Sequence, residues 1–321
     1  MVEQEQIDRS KSIQQRTGKT FHLATRLLPE RVREATYVLY AFFRVADEVV
    51  DGDPATRLSP AEQRERLESL RAQALGETPA DEPVLAAFSE MRERYGIADE
   101  DVDVFVDAMV SDIDTSQYET YEELEAYMDG SAAAVGRMMT AVMDPEGDEY
   151  EKALPHATAL GEAFQLSNFL RDVREDVVER DRIYLPVETL ERHGVDEEQV
   201  LNLEFDERFA AAMKDELSRT EALYEEGVAG IKYLPEDCQF AVLLAAVLYA
   251  DHHRSIRRLG YDVISETPSL STARKLWLLV KTRWAWAWNK DPEAVFRRVS
   301  TVGRADRRSH GGEPADPQPG W

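Results

Sequence analysis

The chain has 321 residues, and an apolar fraction of 43% is enough for a sizeable core, which argues against global disorder. Its net charge of −25 argues against nucleic acid as a partner, because phosphate binding needs clustered Lys and Arg. Only eight of the 38 basic residues are Lys, against 63 Asp and Glu, the acidic, lysine-poor surface expected of a protein kept soluble in concentrated salt. Helical periodicity runs along the chain, with no convincing alternation of strand type. Helices are predicted over 20–28 and 33–51, separated by Pro29, and Asp53-Pro54 ends the second. Ser59-Pro60-Ala61-Glu62 reads as a cap followed by proline in the first turn, opening a polar helix that runs to about 75. Further helices are predicted at 83–95, 99–113, 121–143, 148–181, 206–229, 236–258 and 270–289. The sum is an all-α domain of about ten helices, with no GxGxxG or Walker-type loop. From about 300 the chain is rich in Gly, Pro and charge, a composition expected to stay disordered.

Compartment follows from smaller signals. The single Cys238 rules out an intrachain disulfide and fits a reducing cytoplasm. The polar, acidic start does not read as a signal peptide. The longest uncharged run, 238–250, is too short to span a bilayer and suits a buried helix. A cytoplasmic protein, at most peripheral to a membrane, is expected.

Two acidic segments share one spelling, Asp47-Glu48-Val49-Val50-Asp51 and Asp172-Val173-Arg174-Glu175-Asp176. Each stacks two aspartates on one helical face, an arrangement that costs an isolated helix about 0.2–0.5 kcal/mol. In so acidic a chain the spacing alone says little, since Asp99/Asp103 and Asp103/Asp107 repeat it. The surroundings decide. Gln165, Asn168, Asp172 and Asp176 form one continuous helical stripe, flanked by apolar Phe164, Leu166, Phe169 and Leu170. Such a stripe is expensive to bury without partners. Tyr40, Arg44, Asp47 and Asp51 share a face on an aromatic-rich helix that carries little charge before Arg44. Arg44 and Arg171 stand beside the acids, suited to bidentate phosphate contact. Two facing pairs of aspartates with arginines suit a divalent cation and a diphosphate bound together, and weak metal binding without substrate. Di-iron and His-Glu-x-x-His zinc spacings are missing, and His252-His253 reads as polar filling on a helix.

Several longer segments carry a resemblance: GKTFHLATRLLP (18–29), YVLYAFFRVADEVVD (37–51), YETYEELEAYMDGSAAAVGRMM (118–139), AFQLSNFLRDVREDVVERDRIYLP (163–186) and LGYDVISETPSLSTARKLWLL (259–279). In these the sequence resembles the squalene/phytoene synthase family, most closely its phytoene-forming branch. The resemblance implies an all-α isoprenoid synthase fold over 17–295, following a polar segment 1–16, with two Asp motifs facing each other across a cavity. It makes Asp47, Asp51, Asp172 and Asp176 the catalytic acids and, with Asn168, the ligands of Mg²⁺, or of Mn²⁺ in its place. Lys19, Phe21, Tyr40, Arg44, Gln165, Arg171, Tyr184 and Tyr249 are the implied substrate-binding residues. Gly18 stands where the family often has Ser, so a hydroxyl contact is lost there.

The implied reaction is Mg²⁺-dependent condensation of two geranylgeranyl diphosphates, through a cyclopropylcarbinyl diphosphate, to phytoene, without NADPH. The alternatives are squalene or dehydrosqualene formation from C15 diphosphates and, from another class, a non-catalytic binding or assembly protein, which should have lost some of the acids. Phe21, Val135, Met138, Met139 and Leu160 are expected to form water-excluding walls. Small residues (Ser131, Ala132, Ala133, Ala134, Gly136, Ala141) would leave room for the longer chain. Peripheral membrane contact for product release is a further expectation.

Overall fold

The computed structural model describes residues 24–52 and 58–302. Lys19, Phe21, Gly18, segment 1–16, the first four positions of the expected helix over 20–28, Asp53-Pro54 and nearly all of the tail lie outside the described residues.

The first helix, α1 (Glu30–Asp51), begins directly after Pro29. Val32, Ala35, Val38, Leu39 and Phe42 recur at helical spacing and are buried. Three helices pack on that face: α2 (Pro60–Ala74), α3 (Pro83–Tyr95) and α4 (Asp99–Ser111). At the start of α2 the Ser59 side chain accepts from the Glu62 backbone while Glu62 accepts from the Ser59 backbone N–H at 2.8 Å, a reciprocal cap. Phe42 stacks on Phe88 of α3 with ring centroids 3.8 Å apart, fixing α1 against that layer.

The stretch expected to be one helix over 121–143 is interrupted. It comprises α5 (Tyr121–Met128), a π-helical turn Asp129–Ala133 and α6 (Ala134–Met143). The physical reason is close contact. A Cβ on Gly130 would overlap the Val104 carbonyl of α4, so the wider turn lies directly on the α4 backbone. Such turns sit where a helix must re-aim its side chains, and here Ser131 and Ala132 are delivered to the central cavity.

The spine of the molecule is α7 (Glu149–Arg180), which runs for 32 residues. It ends at Asp181, whose backbone adopts the left-handed conformation (φ 54°) that aspartate tolerates. That reversal carries Arg182 and Tyr184 back over the acidic end of the helix, held by Ile183 N–H donating to the Ser116 carbonyl at 2.8 Å. Two short helices follow, α8 (Val187–Arg192) and α9 (Glu197–Leu201), then α10 (Glu207–Ala229) and α11 (Glu236–Arg258), both against α7, and finally α12 (Thr272–Trp288) and α13 (Pro292–Val299). Among the described residues the only β-type pairing is one isolated bridge between Gln117 and Ile183, so the architecture is all-α.

Glycines set how closely α6, α7 and α10 approach. A Cβ on Gly161 of α7 would stand 2.5 Å from the Ala132 carbonyl, and one on Gly227 of α10 would stand 2.7 Å from the Leu160 backbone nitrogen. A Cβ on Gly136 would overlap the Ala157 carbonyl. This corrects the reading of the small residues. Gly136 serves helix crossing, Ala133, Ala134 and Ala141 are buried in the core, and only Ser131, Ala132 and Gly136 border the cavity.

Candidate active site

A cavity of about 680 Å³ opens between α1 and α7. On α1 it is bordered by Tyr40, Phe43, Arg44, Asp47 and Asp51, the stripe opposite the buried face of that helix. On α7 it is bordered by Gln165, Asn168, Asp172 and Asp176, with Arg171 beside them. Tyr184 and Tyr249 complete the wall, so every expected site residue within the described part of the chain faces one space. Of the expected apolar walls, Val135, Met139 and Leu160 border the cavity, whereas Met138 is fully buried in the core. Val135 and Met139 are one turn apart on one face; Met138 is rotated away from them towards the core.

The two acidic stripes meet through arginine. Arg180 Nη1 donates to Asp176 Oδ1 at 2.7 Å, and its Nε lies 3.7 Å from Asp51 Oδ2. One guanidinium on α7 therefore reaches both motifs. Arg182 Nη2 lies 3.7 Å from Asp51 Oδ1. On the same sides, Arg44 Nη1 donates to Asp47 Oδ2 at 2.7 Å, and Arg171 Nε donates to Asp172 Oδ1 at 2.7 Å.

Two of these carboxylates, Asp47 and Asp176, are strained as charges. Burial pushes the Asp47 carboxyl above its ordinary range, with Arg44 opposing and Asp51 adding to the rise. Burial likewise raises Asp176 to about 7, opposed by Arg180 and reinforced by Asp172. Carboxylates that resist ionisation, although each has an arginine partner, leave room for more positive charge. Four carboxylates and the Asn168 amide make an all-oxygen donor set, which suits a hard divalent cation such as Mg²⁺. The residues present therefore fit the implied metal. Among the described residues no three acidic, histidine or cysteine side chains form a ready-made metal cage.

Four residues escaped the sequence reading. Asp112, just after α4, accepts from Tyr127 at 3.0 Å and lies 3.3 Å from Arg182, and burial pushes it up to about 7. Tyr127, Arg180 and Arg182 also border the cavity. Arg180 was legible, one helical turn after Asp176. Arg182 was not, because the left-handed turn at Asp181 ends the periodicity. Asp112 is hidden by the abundance of acid.

The opposite face of α7 is locked in place. Ser167 Oγ lies 2.9 Å from His253 Nε2 and 2.8 Å from the Tyr224 hydroxyl, and His253 Nδ1 lies 3.3 Å from Glu221 Oε1. Serine, histidine and glutamate here are buried behind the helix and border no part of the cavity, so they orient α7 and carry no nucleophile. Burial drives both histidines of the pair down, His252 to about 3.

The model of the squalene/phytoene synthase family matches residues 14–277. The chain belongs to the squalene/phytoene synthase family. Among curated members of the family, it is 35% identical over 274 residues to a 15-cis-phytoene synthase of Synechocystis sp., covering 81% of this chain and 79% of that protein. It is 32% identical over 272 residues to a phytoene synthase of Rhodobacter capsulatus, covering 83% and 78% respectively. A dehydrosqualene synthase crystallised with ligand superposes with a TM-score of 0.78 at 28% identity, covering 89% of this chain and 98% of that one. A squalene synthase from Alicyclobacillus acidocaldarius, at TM-score 0.71 and 22% identity over 80% of this chain and 95% of that one, shares the squalene/phytoene synthase fold.

Proposed function

We propose that this chain is a phytoene synthase, a prenyltransferase joining two geranylgeranyl diphosphates head to head, with 17–295 as the catalytic unit. The observation that carries the reading is the reach of Arg180 to Asp51 and Asp176 at once, which places both acidic stripes at one cavity mouth. Phytoene synthases among the relatives support the choice of product.

Asp47, Asp51, Asn168, Asp172 and Asp176 would hold Mg²⁺. When bound, that ion supplies positive charge for a departing diphosphate. Arg44 and Arg171 bind diphosphate oxygens, and they hold this charge fixed before reaction, the arrangement that stabilises a leaving anion most strongly. Loss of diphosphate from one chain leaves an allylic cation. The double bond of the second chain attacks it, and proton loss closes a cyclopropylcarbinyl diphosphate. A second ionisation, rearrangement and proton loss give the C40 hydrocarbon. Tyr40, Phe43, Phe164, Phe169, Tyr184 and Tyr249 line the cavity along this path. They exclude water, which would quench the cation, and their π faces favour positive charge. Phe169 and Tyr184 stack with centroids 3.8 Å apart, a rigid wall beside the acids.

Incubation with labelled C20 and C15 diphosphates, with Mg²⁺ and with or without NADPH, tests the reading by its products. Phytoene from the C20 substrate without NADPH is the expected result. Turnover of the C15 substrate alone, or squalene formed only with NADPH, overturns it. The hydrocarbon product carries no polar group and is expected to leave into lipid. Among the described residues no helix is long and apolar enough to cross a membrane.

A further inference from the structure

Helix α12 is apolar on two opposite sides. Leu278, Ala285 and Trp286 are buried towards α11 and α13. Leu276, Trp277, Val280, Trp284 and Trp288 face solvent on the other side. Five of the ten exposed large apolar side chains among the described residues therefore sit on this one helix, Trp284 and Trp288 being 65% and 75% exposed. A helix apolar all round normally lies in an interior. Trp277, Trp284 and Trp288 recur at i, i+7 and i+11, one continuous face.

Charge is just as local. Residues 271–290 carry Arg274, Lys275, Lys281, Arg283 and Lys290 and no Asp or Glu, in a chain whose net charge is −25. Three of the eight lysines and four of the five tryptophans fall in these twenty positions. Arg274 is paired with Asp251 at 2.6 Å and Lys281 donates to the Val299 carbonyl at 2.9 Å, so both brace the helix. Arg283, over the Phe240 ring at 5.3 Å, and Lys290, over the Trp286 ring at 4.9 Å, are exposed on the flank of the tryptophan face.

We propose that α12 lies flat on an anionic phospholipid surface, with Trp277, Trp284 and Trp288 in the headgroup layer and Arg283 and Lys290 against lipid phosphates. An exposed tryptophan face flanked by lysine and arginine is the chemistry of the bilayer interface. The cores of protein–protein interfaces, by contrast, are depleted of lysine. The acidic body does not prevent approach, because screening limits repulsion to about 10 Å at 0.1 M salt. It instead allows only the basic side to land. The inference deepens the lipid contact proposed above, but it rests on the patch and not on the identity of the substrate.

Vesicle sedimentation of the full chain provides the test, with phosphatidylglycerol–phosphatidylcholine vesicles against pure phosphatidylcholine at low and high salt. The wild type is expected to pellet with the anionic vesicles, and brominated lipid to quench its tryptophan emission. Trp284→Ala with Trp288→Ala is expected to weaken binding by about tenfold or more at both salt levels. Arg283→Glu with Lys290→Glu is expected to weaken it at low salt only. Both double variants should keep wild-type turnover on detergent-dispersed substrate, so failure of the lipid site and failure of the substrate assignment read out separately. Three results overturn the proposal: wild type remaining in the supernatant, variants binding as tightly as wild type, or the aromatic variant converting a dimer to a monomer in light scattering. The last would make a second copy the occupant of this face.

Discussion

Asp176→Asn is expected to lower turnover by about 10²–10³-fold or more while leaving the melting temperature in metal-free buffer unchanged or raised. Two opposed effects decide the second half of that statement. The substitution removes one partner of Arg180, but Arg180 still has Glu175 at 3.4 Å and Asp51 at 3.7 Å. It also removes a buried carboxylate that resists ionisation, already raised to about 7, and its repulsion with Asp172. Arginine keeps partners and repulsion is relieved, so the fold tolerates the change. The chemistry does not, because a neutral amide is a much weaker ligand for a hard cation. Wild-type turnover in the variant would remove Asp176 from the ligand set. Asp172→Asn should be as inactive but less stable, because Arg171 then loses the carboxylate it holds at 2.7 Å.

Gly161→Ala has a large expected effect on stability away from the acids. Alanine is favoured over glycine inside a helix by about 1 kcal/mol, so propensity alone would stabilise the variant. The new methyl, however, would stand 2.5 Å from the Ala132 carbonyl, a backbone atom that cannot rotate aside. Overpacking of this kind costs about 1–3 kcal/mol or more. The clash should exceed the propensity gain, because relief requires separating the π-helical turn at 129–133 from α7. A net loss of about 2 kcal/mol lowers the melting temperature by roughly 4–8 °C for a domain near this size. Turnover should fall as well, since α7 carries Asn168, Asp172 and Asp176 beyond the displaced crossing. Differential scanning calorimetry checks the first effect, and an unchanged or raised melting temperature would contradict the crossing geometry.

Most of the helices were legible because their signals are local. Ser59-Pro60-Ala61-Glu62 carries its own cap, and Pro29 starts α1 on its own. The α7 stripe was readable because Gln165, Asn168, Asp172 and Asp176 keep one helical period without interruption. What escaped depends on contacts between distant segments. The π-turn at 129–133 arises where Gly130 meets Val104 of α4, a contact between segments distant in sequence that no local pattern marks. Likewise Arg182 reaches Asp51 and Asp112 only after the chain reverses at Asp181. Helix α13 did carry a local signal. Asp291 caps it ahead of Pro292, the same device that opens α2. Small residues on α6 were ambiguous from sequence, since glycine at a crossing and glycine beside a cavity look alike until the neighbour is placed.

The proposed function requires that the stripes of α1 and α7 hold metal and diphosphate jointly. Crystals grown with Mn²⁺ and a non-ionisable thiolo-diphosphate analogue of the C20 substrate test it most directly, through anomalous scattering at the manganese edge. The expected result is manganese bridged to the analogue's diphosphate between Asp47/Asp51 and Asp172/Asp176. Analogue bound in the cavity with manganese elsewhere, or with no ordered manganese, would contradict it.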